Sequence, residues 1–374
     1  MLFNVCALYI KIMNNENQTI HKSNDNLTIY GWNEKLNQLK QESIYSTLAH
    51  GRVSIVHRTC YEVISGNGLF QCELTGNMMY GKSDDELPCT GDWVIFQPFD
   101  EHKGIIVDSL PRERTLYRKK SGTVADKQVI ASYVDKAFIV QSLDDNFNVR
   151  RVERFMVQIM EENISSVLVL NKADLDFDRQ SVEEQIKHIS SQIPVFFTSI
   201  HQLETIVRLR KSISEGETVV FVGSSGVGKS SLVNALCEKS VLLTSDISLS
   251  TGKGRHTSTR REMVLMDGSG VLIDTPGVRE FGLAIDDSDS LAEVLEISDY
   301  AASCHFKDCK HINEPGCAVL EAVSSGVLDR KVYESYLKLR REAWHFSTSE
   351  HEKRKRDKSF SKLVDEVKKR KANR

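Results

Sequence analysis

The chain has 374 residues, with 49 Lys and Arg against 52 Asp and Glu and a formal net charge of −3. That length accommodates two or three domains, and the near-neutral balance excludes a uniformly basic nucleic-acid coat. No stretch reaches the ~20 consecutive apolar residues of a membrane span, so the expectation is a cytoplasmic protein with no membrane partner.

In chain order, the N-terminal run MLFNVCALYIKIM is short, follows no basic residue and is broken by Lys11, so no signal peptide is expected. Residues 1–30 turn polar and Asn-rich and read as a flexible extension. A weak helical pattern over 33–48 (Leu36, Leu39, Ile44, Leu48) opens a unit spanning 31–113. Five short β-rich runs follow it: Arg52–Thr59, Tyr61–Ile64, Leu69–Leu74, Trp93–Phe96 and Gly104–Val107. Gly66-Asn-Gly68, Gly76-Asn77 and Thr90-Gly-Asp92 separate them. Short strands with turns between them suggest a small barrel such as an OB-fold, though pattern alone also allows another five-stranded β-domain.

From 114 to 285 strands alternate with helices. Strands are expected at Ala137–Gln141, Ser166–Leu170, Val195–Thr198, Thr218–Val222 and Gly270–Ile273, and helices at Arg150–Glu161, Val182–Ser190, Leu203–Ile213 and Lys229–Cys237. Such alternation predicts a parallel sheet covered by helices. Residues 286–374 read as a helical unit around a Cys/His cluster with a charged tail.

Gly223-Ser224-Ser225-Gly226-Val227-Gly228-Lys229-Ser230 fits the phosphate-loop pattern at every position, after an apolar strand and before a helix that continues with Ser231. Its glycines let N–H groups turn inward around a phosphate, and the helix N-terminus adds its positive dipole end. Lys229 is expected on the β- and γ-phosphates, and the Ser230 hydroxyl on Mg²⁺. Asp274-Thr-Pro-Gly277 follows the next strand, where an Asp can hold Mg²⁺ through water and the Gly277 N–H can sense the γ-phosphate. Asn171-Lys172-Ala173-Asp174 reads as a guanine motif. The Asp174 carboxylate can accept both guanine N1–H and N2–H, which adenine cannot supply. Ser199 lies where a further guanine-side loop belongs, on a poor match.

Between phosphate loop and Asp274, Gly252-Lys-Gly-Arg-His-Thr-Ser-Thr259 is the expected switch. Thr257 is the first choice for its Mg²⁺ hydroxyl, with Ser258 and Thr259 as rivals. The residue after Asp-x-x-Gly is Val278, which cannot orient a water, so His256 is the candidate for that task. Arg255 and Arg279 are possible charge stabilisers. A loop His without a catalytic role is the plain alternative.

The remaining signal is in the cysteines. Cys6, Cys60, Cys72, Cys89 and Cys237 show no framework spacing, which suits a reducing cytosol. Cys304, Cys309, His311 and Cys317 supply four ligands suited to one structural zinc, which leaves no open position for zinc chemistry. From Lys331 to Arg374, Lys and Arg outnumber Asp and Glu by 15 to 7, which alone reads as a solvated helix face and, beside an OB-fold and a zinc module, as an RNA-contacting tail.

The guanine motif precedes the phosphate loop, the reverse of most GTPases. The order NKAD, GSSGVGKSSL, GRHTST, DTPGVRE, then the Cys/His spacing, together with Gly91-Asp-Trp-Val94 and Leu110-Pro-Arg112, resembles the RsgA (YjeQ) family of circularly permuted GTPases over roughly residues 31–345. The resemblance implies a multidomain α/β protein: an N-terminal OB-fold, a permuted P-loop GTPase domain and a C-terminal zinc-binding domain. It also implies GTP hydrolysis to GDP with Mg²⁺, stimulated by the 30S ribosomal subunit and its 16S rRNA, late in subunit maturation. A monomer is expected. The competing readings are a permuted GTPase of the large subunit, and a nucleotide-gated RNA-binding scaffold with negligible turnover. The family commonly has Gln where Ser224 stands and Thr where Ser258 stands, and residues before 31 have no clear counterpart. Since Gly277 leads into the Cys/His unit, γ-phosphate contacts there are expected to set the orientation of residues 286–345.

Overall fold

Strand burial separates two β-systems in the computed structural model, which describes residues 24–83, 85–119, 127–145, 147–237, 261–266, 268–274, 291–292 and 294–347. The first comprises β1 (Ala49–Val56), β2 (Tyr61–Ser65), β3 (Gly68–Leu74), β4 (Trp93–Asp100) and β5 (Lys103–Ser109). Along β2 and β3, buried residues alternate with more exposed ones. That is the pattern of strands with one face on a core. The pairing order is β1-β2-β3-β5-β4, and β1 also pairs with β4, so the sheet closes on itself. β3 and β5 run parallel. Val53, Val63, Phe70, Cys72, Val94, Phe96 and Ile106 fill the interior. This closed barrel is the expected OB-fold.

After the hairpin of β6 (Leu116–Lys119) and β7 (Lys127–Ala131) comes the second system. Its strands are β8 (Lys136–Ser142), β9 (Ser165–Asn171), β10 (Val195–Thr198), β11 (Thr218–Val222), β12 (Glu262–Leu265) and β13 (Val271–Asp274). β8, β9 and β11 are almost continuously buried, as parallel strands covered on both faces must be. The order is β10-β9-β8-β11-β13-β12, with every pair parallel except β12 on β13. The chain therefore enters at β8, moves outward to the edge at β10, returns to the middle as β11 and finishes on the opposite flank. All the parallel strands end at one edge, where crevices for ligands form.

Helices Leu203–Lys211 and Lys229–Cys237 pack on one face, against Phe138, Val140, Val167, Val169, Val219 and Phe221. The other face meets helix Val149–Glu161 through Ile139, Leu168, Leu170 and Val220. The same apolar cluster continues into the C-terminal unit through Leu291, Leu295, Cys317, Val319, Tyr336 and Leu339. Buried Glu153 adds polar links, accepting from Ser335 Oγ at 2.5 Å and lying 3.0 Å from His188 Nε2.

Arg52 joins barrel to sheet. Its side chain is 1% exposed. Nε donates to Gly91 O at 2.9 Å, Nη1 to Thr218 Oγ1 at 2.8 Å and to Tyr30 O, and Nη2 to Tyr133 O at 3.4 Å. Burial pushes its pKa down to about 10, opposed chiefly by Asp135. Arg52→Met would strand these acceptors and is expected to cost about 3 kcal/mol, read as a lower unfolding midpoint. Arg52→Lys should rescue little, because an ammonium cannot reproduce the planar fork.

Several elements depart from the sequence reading. Asn24–Tyr30, assigned to a loose extension, forms a 3-10 helix with Leu27 buried. The first helix spans Glu34–Glu42, short of 48, and Ile44 is 88% exposed. Gly76-Asn77, read as a turn, opens a short helix over Gly76–Gly81 capped by Thr75, which accepts from Met78 N at 3.4 Å. The helix expected over Val182–Ser190 is two, Arg179–Gln185 and Lys187–Ser190. β12 was not anticipated. It runs antiparallel and reaches the barrel through Ile55↔Glu262.

Candidate nucleotide site

The phosphate-loop sequence leaves β11 and enters helix Lys229–Cys237. Gly223, Gly226 and Gly228 have φ of +149°, +82° and +93°. A side chain at Gly223 would meet Val140 O at 2.3 Å, and one at Gly228 would meet Asn171 Nδ2 at 2.3 Å. Glycine is thus required both by backbone conformation and by close approach of two neighbouring strand ends. Val227 is fully buried and anchors the loop in the core. Lys229 Nζ donates to Gly223 O at 2.7 Å and Ser224 O at 2.6 Å. Ser225, Ser230 and Ser231 stand in the same loop and first helical turn.

The guanine motif follows β9, two strands away, and hydrogen bonds tie it to this loop. Asn171 Nδ2 donates to Val227 O at 2.9 Å, and Thr198 Oγ1 donates to Asn171 Oδ1 at 3.2 Å. Ala173 N donates to Thr198 O at 3.0 Å. Ser199 is fully buried, and its hydroxyl donates to Asp174 Oδ1 at 2.5 Å. That bond holds the Asp174 carboxyl below its ordinary pKa, so it stands as an anion. Ser199, a weak match by sequence, is thus brought onto the guanine motif. Thr198 opens the same loop as Ser199. Asp144, beside Lys172, was missed, since it acts across segments distant in sequence and carries no motif.

Asp274 ends β13, whose register Val220↔Ile273 sets that strand end beside the phosphate loop. Thr275 to Gly277, Val278 and Arg279, and the whole 252–259 stretch with Arg255, His256, Thr257, Ser258 and Thr259, lie outside the described residues. So does most of the link from Gly277 to the Cys/His unit.

The Cys304, Cys309, His311 and Cys317 ligand atoms all lie within 4.8 Å of one another. Cys304 Sγ and Cys317 Sγ are 3.9 Å apart, and His311 Nδ1 is 3.5 Å from the first and 3.4 Å from the second. A tetrahedron with ~2.3 Å metal–sulfur and ~2.0 Å metal–nitrogen bonds has edges of about 3.8 Å and 3.5 Å. The cluster fits one metal ion of that size. Burial, with Arg340 nearby, lowers the His311 pKa and favours the neutral, ligating imidazole. Burial opposes ionisation of Cys304, but hydrogen bonds from the Val319 and Ala318 N–H groups and from Cys317 and Cys309 together outweigh it and lower its pKa. Cys317 is pushed up to about 11, mainly by burial. The Glu314 carboxylate accepts from Ile312, Asn313 and Lys310 N–H groups, which shapes the ligand turn and draws its pKa down to about 2.

Comparison with known proteins adds to this geometry. The model of the RsgA GTPase family matches residues 109–284. A protein of Bacteroides thetaiotaomicron named small ribosomal subunit biogenesis GTPase RsgA 1 is 76% identical over 350 residues, covering 94% of this chain and 99% of that protein. Its Methanosarcina acetivorans counterpart, named small ribosomal subunit biogenesis GTPase RsgA, is 38% identical over 87% of this chain and 89% of its own length. The crystal structure of YjeQ from Thermotoga maritima superposes with a TM-score of 0.61 at 25% identity, covering 79% of this chain and 98% of that one. YloQ, described as a circularly permuted GTPase, gives the same TM-score at 22% identity over 82% and 99%. With its permuted strand order and this identity across nearly its whole length, the chain belongs to the RsgA family of GTPases.

Proposed function

We propose that the chain binds GTP with Mg²⁺ at the edge of the permuted sheet and hydrolyses it on the small ribosomal subunit during late maturation. The observation carrying this reading is the direct bond from Asn171 to the phosphate loop, which makes the guanine and phosphate elements one site. Asp174 reads the guanine N1–H and N2–H, with Ser199 holding its carboxylate. The inward N–H groups of Gly223 to Ser231 cradle the phosphates, and Lys229 balances charge gathering on the β- and γ-oxygens as the γ-phosphoryl passes to water and GDP leaves. Ser230 is the residue that would hold Mg²⁺ in the described region, with Thr257 and Asp274 assigned beside it. Held there, the ion would supply further neutralisation of phosphate charge. Water positioning is assigned to His256, since Val278 cannot do it, and Gly277 to the γ-phosphate.

Domain limits of 31–113, 114–285 and 286–374 follow from this reading, with one zinc ion at Cys304, Cys309, His311 and Cys317. The relatives' names point to the small subunit. The basic stretch from Lys331 suits 16S rRNA. The protein is assigned to the cytoplasm, as a monomer. GTP turnover measured alone, with 30S subunits and with 50S subunits tests this. Strong stimulation by 30S alone is expected. Stimulation by 50S alone would shift the target to the large subunit, and no turnover with either would leave a GTP-gated scaffold.

A further inference from the structure

β8 carries a buried amide near its C-terminal end. Gln141 is 0% exposed, and neither Nε2 nor Oε1 of its side chain has a hydrogen-bond partner among the described residues. Such groups are few in folded proteins, and functional sites are where the rule is broken. The surrounding packing offers Gln141 nothing. It lies on the same face of β8 as Ala137 and Ile139 and opposite Leu170 on β9, all fully buried members of the apolar cluster beneath helix Val149–Glu161. The polar side chains next to it in sequence and across the pair are engaged. Ser142 Oγ donates to Asp144 Oδ1 at 2.7 Å, and the Asn171 amide is held between Val227 O and Thr198 Oγ1.

The place of Gln141 in the sheet points to the phosphate loop. β8 and β11 run parallel, with Ile139 paired to Val222. One residue further, Gly223 comes so close to β8 that a side chain there would meet Val140 O at 2.3 Å. The next residues on the two chains are Gln141 and Ser224. Ser224 is in turn tied to the cation of the loop, since its carbonyl accepts from Lys229 Nζ at 2.6 Å. Phosphate charge acting on Lys229 therefore acts on Ser224 as well. We propose that Gln141 is a positioning residue of the phosphate loop, whose amide hydrogen-bonds the Ser224 hydroxyl once the phosphates of a nucleotide sit in that loop. The inference rests on the nucleotide reading above. The bond steadies Ser224, and through it Lys229, in the geometry that holds phosphate. An amide paired only in the complex weakens the free protein and tightens the ligand.

Thermal unfolding of the full-length protein, and displacement of a fluorescent GDP by GTP and GDP, test this with Gln141→Met, Ser224→Ala and the double variant. Methionine keeps the volume and removes the polar atoms. Without nucleotide, Gln141→Met should unfold about 2–4 °C higher, because the unpaired amide is gone. It should bind GTP and GDP about fivefold more weakly, the contribution of one net hydrogen bond. Ser224→Ala should show the same loss of affinity, and the double variant should lose no more than either alone. A purely structural glutamine would not move stability and affinity in opposite directions. A lower unfolding midpoint in Gln141→Met would mean that the amide already has a partner in the free protein, which overturns the proposal. Unchanged affinity in that variant, or additive losses in the double variant, would overturn it too. If GTP and GDP both fail to bind the unmodified protein, the nucleotide reading falls and takes this proposal with it.

Discussion

Lys229→Ala should lower GTP turnover by roughly 10²–10³-fold, the loss typical of removing one preorganised charge donor from a transition state. The fold should tolerate the change. Among its described contacts are two hydrogen bonds to the phosphate loop's own carbonyls, Gly223 O and Ser224 O. Replacing these with water costs on the order of 1 kcal/mol, so the unfolding midpoint should move by a few degrees at most. GDP should still bind, because Asp174, Ser199 and the loop N–H groups remain. Ser230→Ala should give a comparable loss of turnover by a different route, seen as a higher Mg²⁺ requirement. Single-turnover measurements at saturating GTP separate the two. Turnover near the unmodified level in Lys229→Ala would remove the phosphate-loop assignment, since no other described cation takes its place in that loop.

The motifs were legible because each is a short run whose chemistry needs consecutive residues. The phosphate loop needs glycines where φ is positive, and Gly223, Gly226 and Gly228 supply them. The strands were legible by burial period. β10 and β11 were placed residue for residue, since Pro194 opens the first and Gly223 closes the second. Less legible was whatever depends on elements meeting in space. β12 is Glu262–Leu265, whose antiparallel direction is set only by its pairing with β13. Arg52 looks like an ordinary polar strand residue until barrel and sheet close around it. The contact between Asp144 and Lys172 spans 28 positions and joins two loops. Nor did the sequence reveal that the C-terminal unit shares one apolar cluster with the GTPase sheet. Its apolar residues would read the same in a free-standing unit.

That shared cluster shapes what metal removal should do. Between residues 302 and 316, His311 alone is buried, so the ligand turn has no apolar core of its own. A short loop of this kind depends on its metal, whose binding free energy then counts as folding free energy, about 10 kcal/mol in isolated zinc modules. Cys317 stands apart, being 5% exposed and packed in the cluster with Val319, Ala322 and Leu339. Elemental analysis should find one zinc per chain. A zinc-selective chelator, with Mg²⁺ restored afterwards, should open residues 304–316 to proteolysis and hydrogen exchange. Helix Ala318–Ser324 should stay protected, because its buried residues Val319 and Ala322 belong to the shared apolar cluster. Cys309→Ser should reproduce this pattern. Cys317→Ser should go further and lower global stability by another 1–3 kcal/mol or so, since it places a hydroxyl in the shared core. GTP affinity should survive the chelator within about twofold, because every described contact at the nucleotide site comes from residues before 238 or from β13. Stimulation by the small subunit should be lost, if the ligand turn and the basic helix beyond it form the RNA-facing surface. Full stimulation of a zinc-free protein would place the ribosome contact elsewhere, on the barrel.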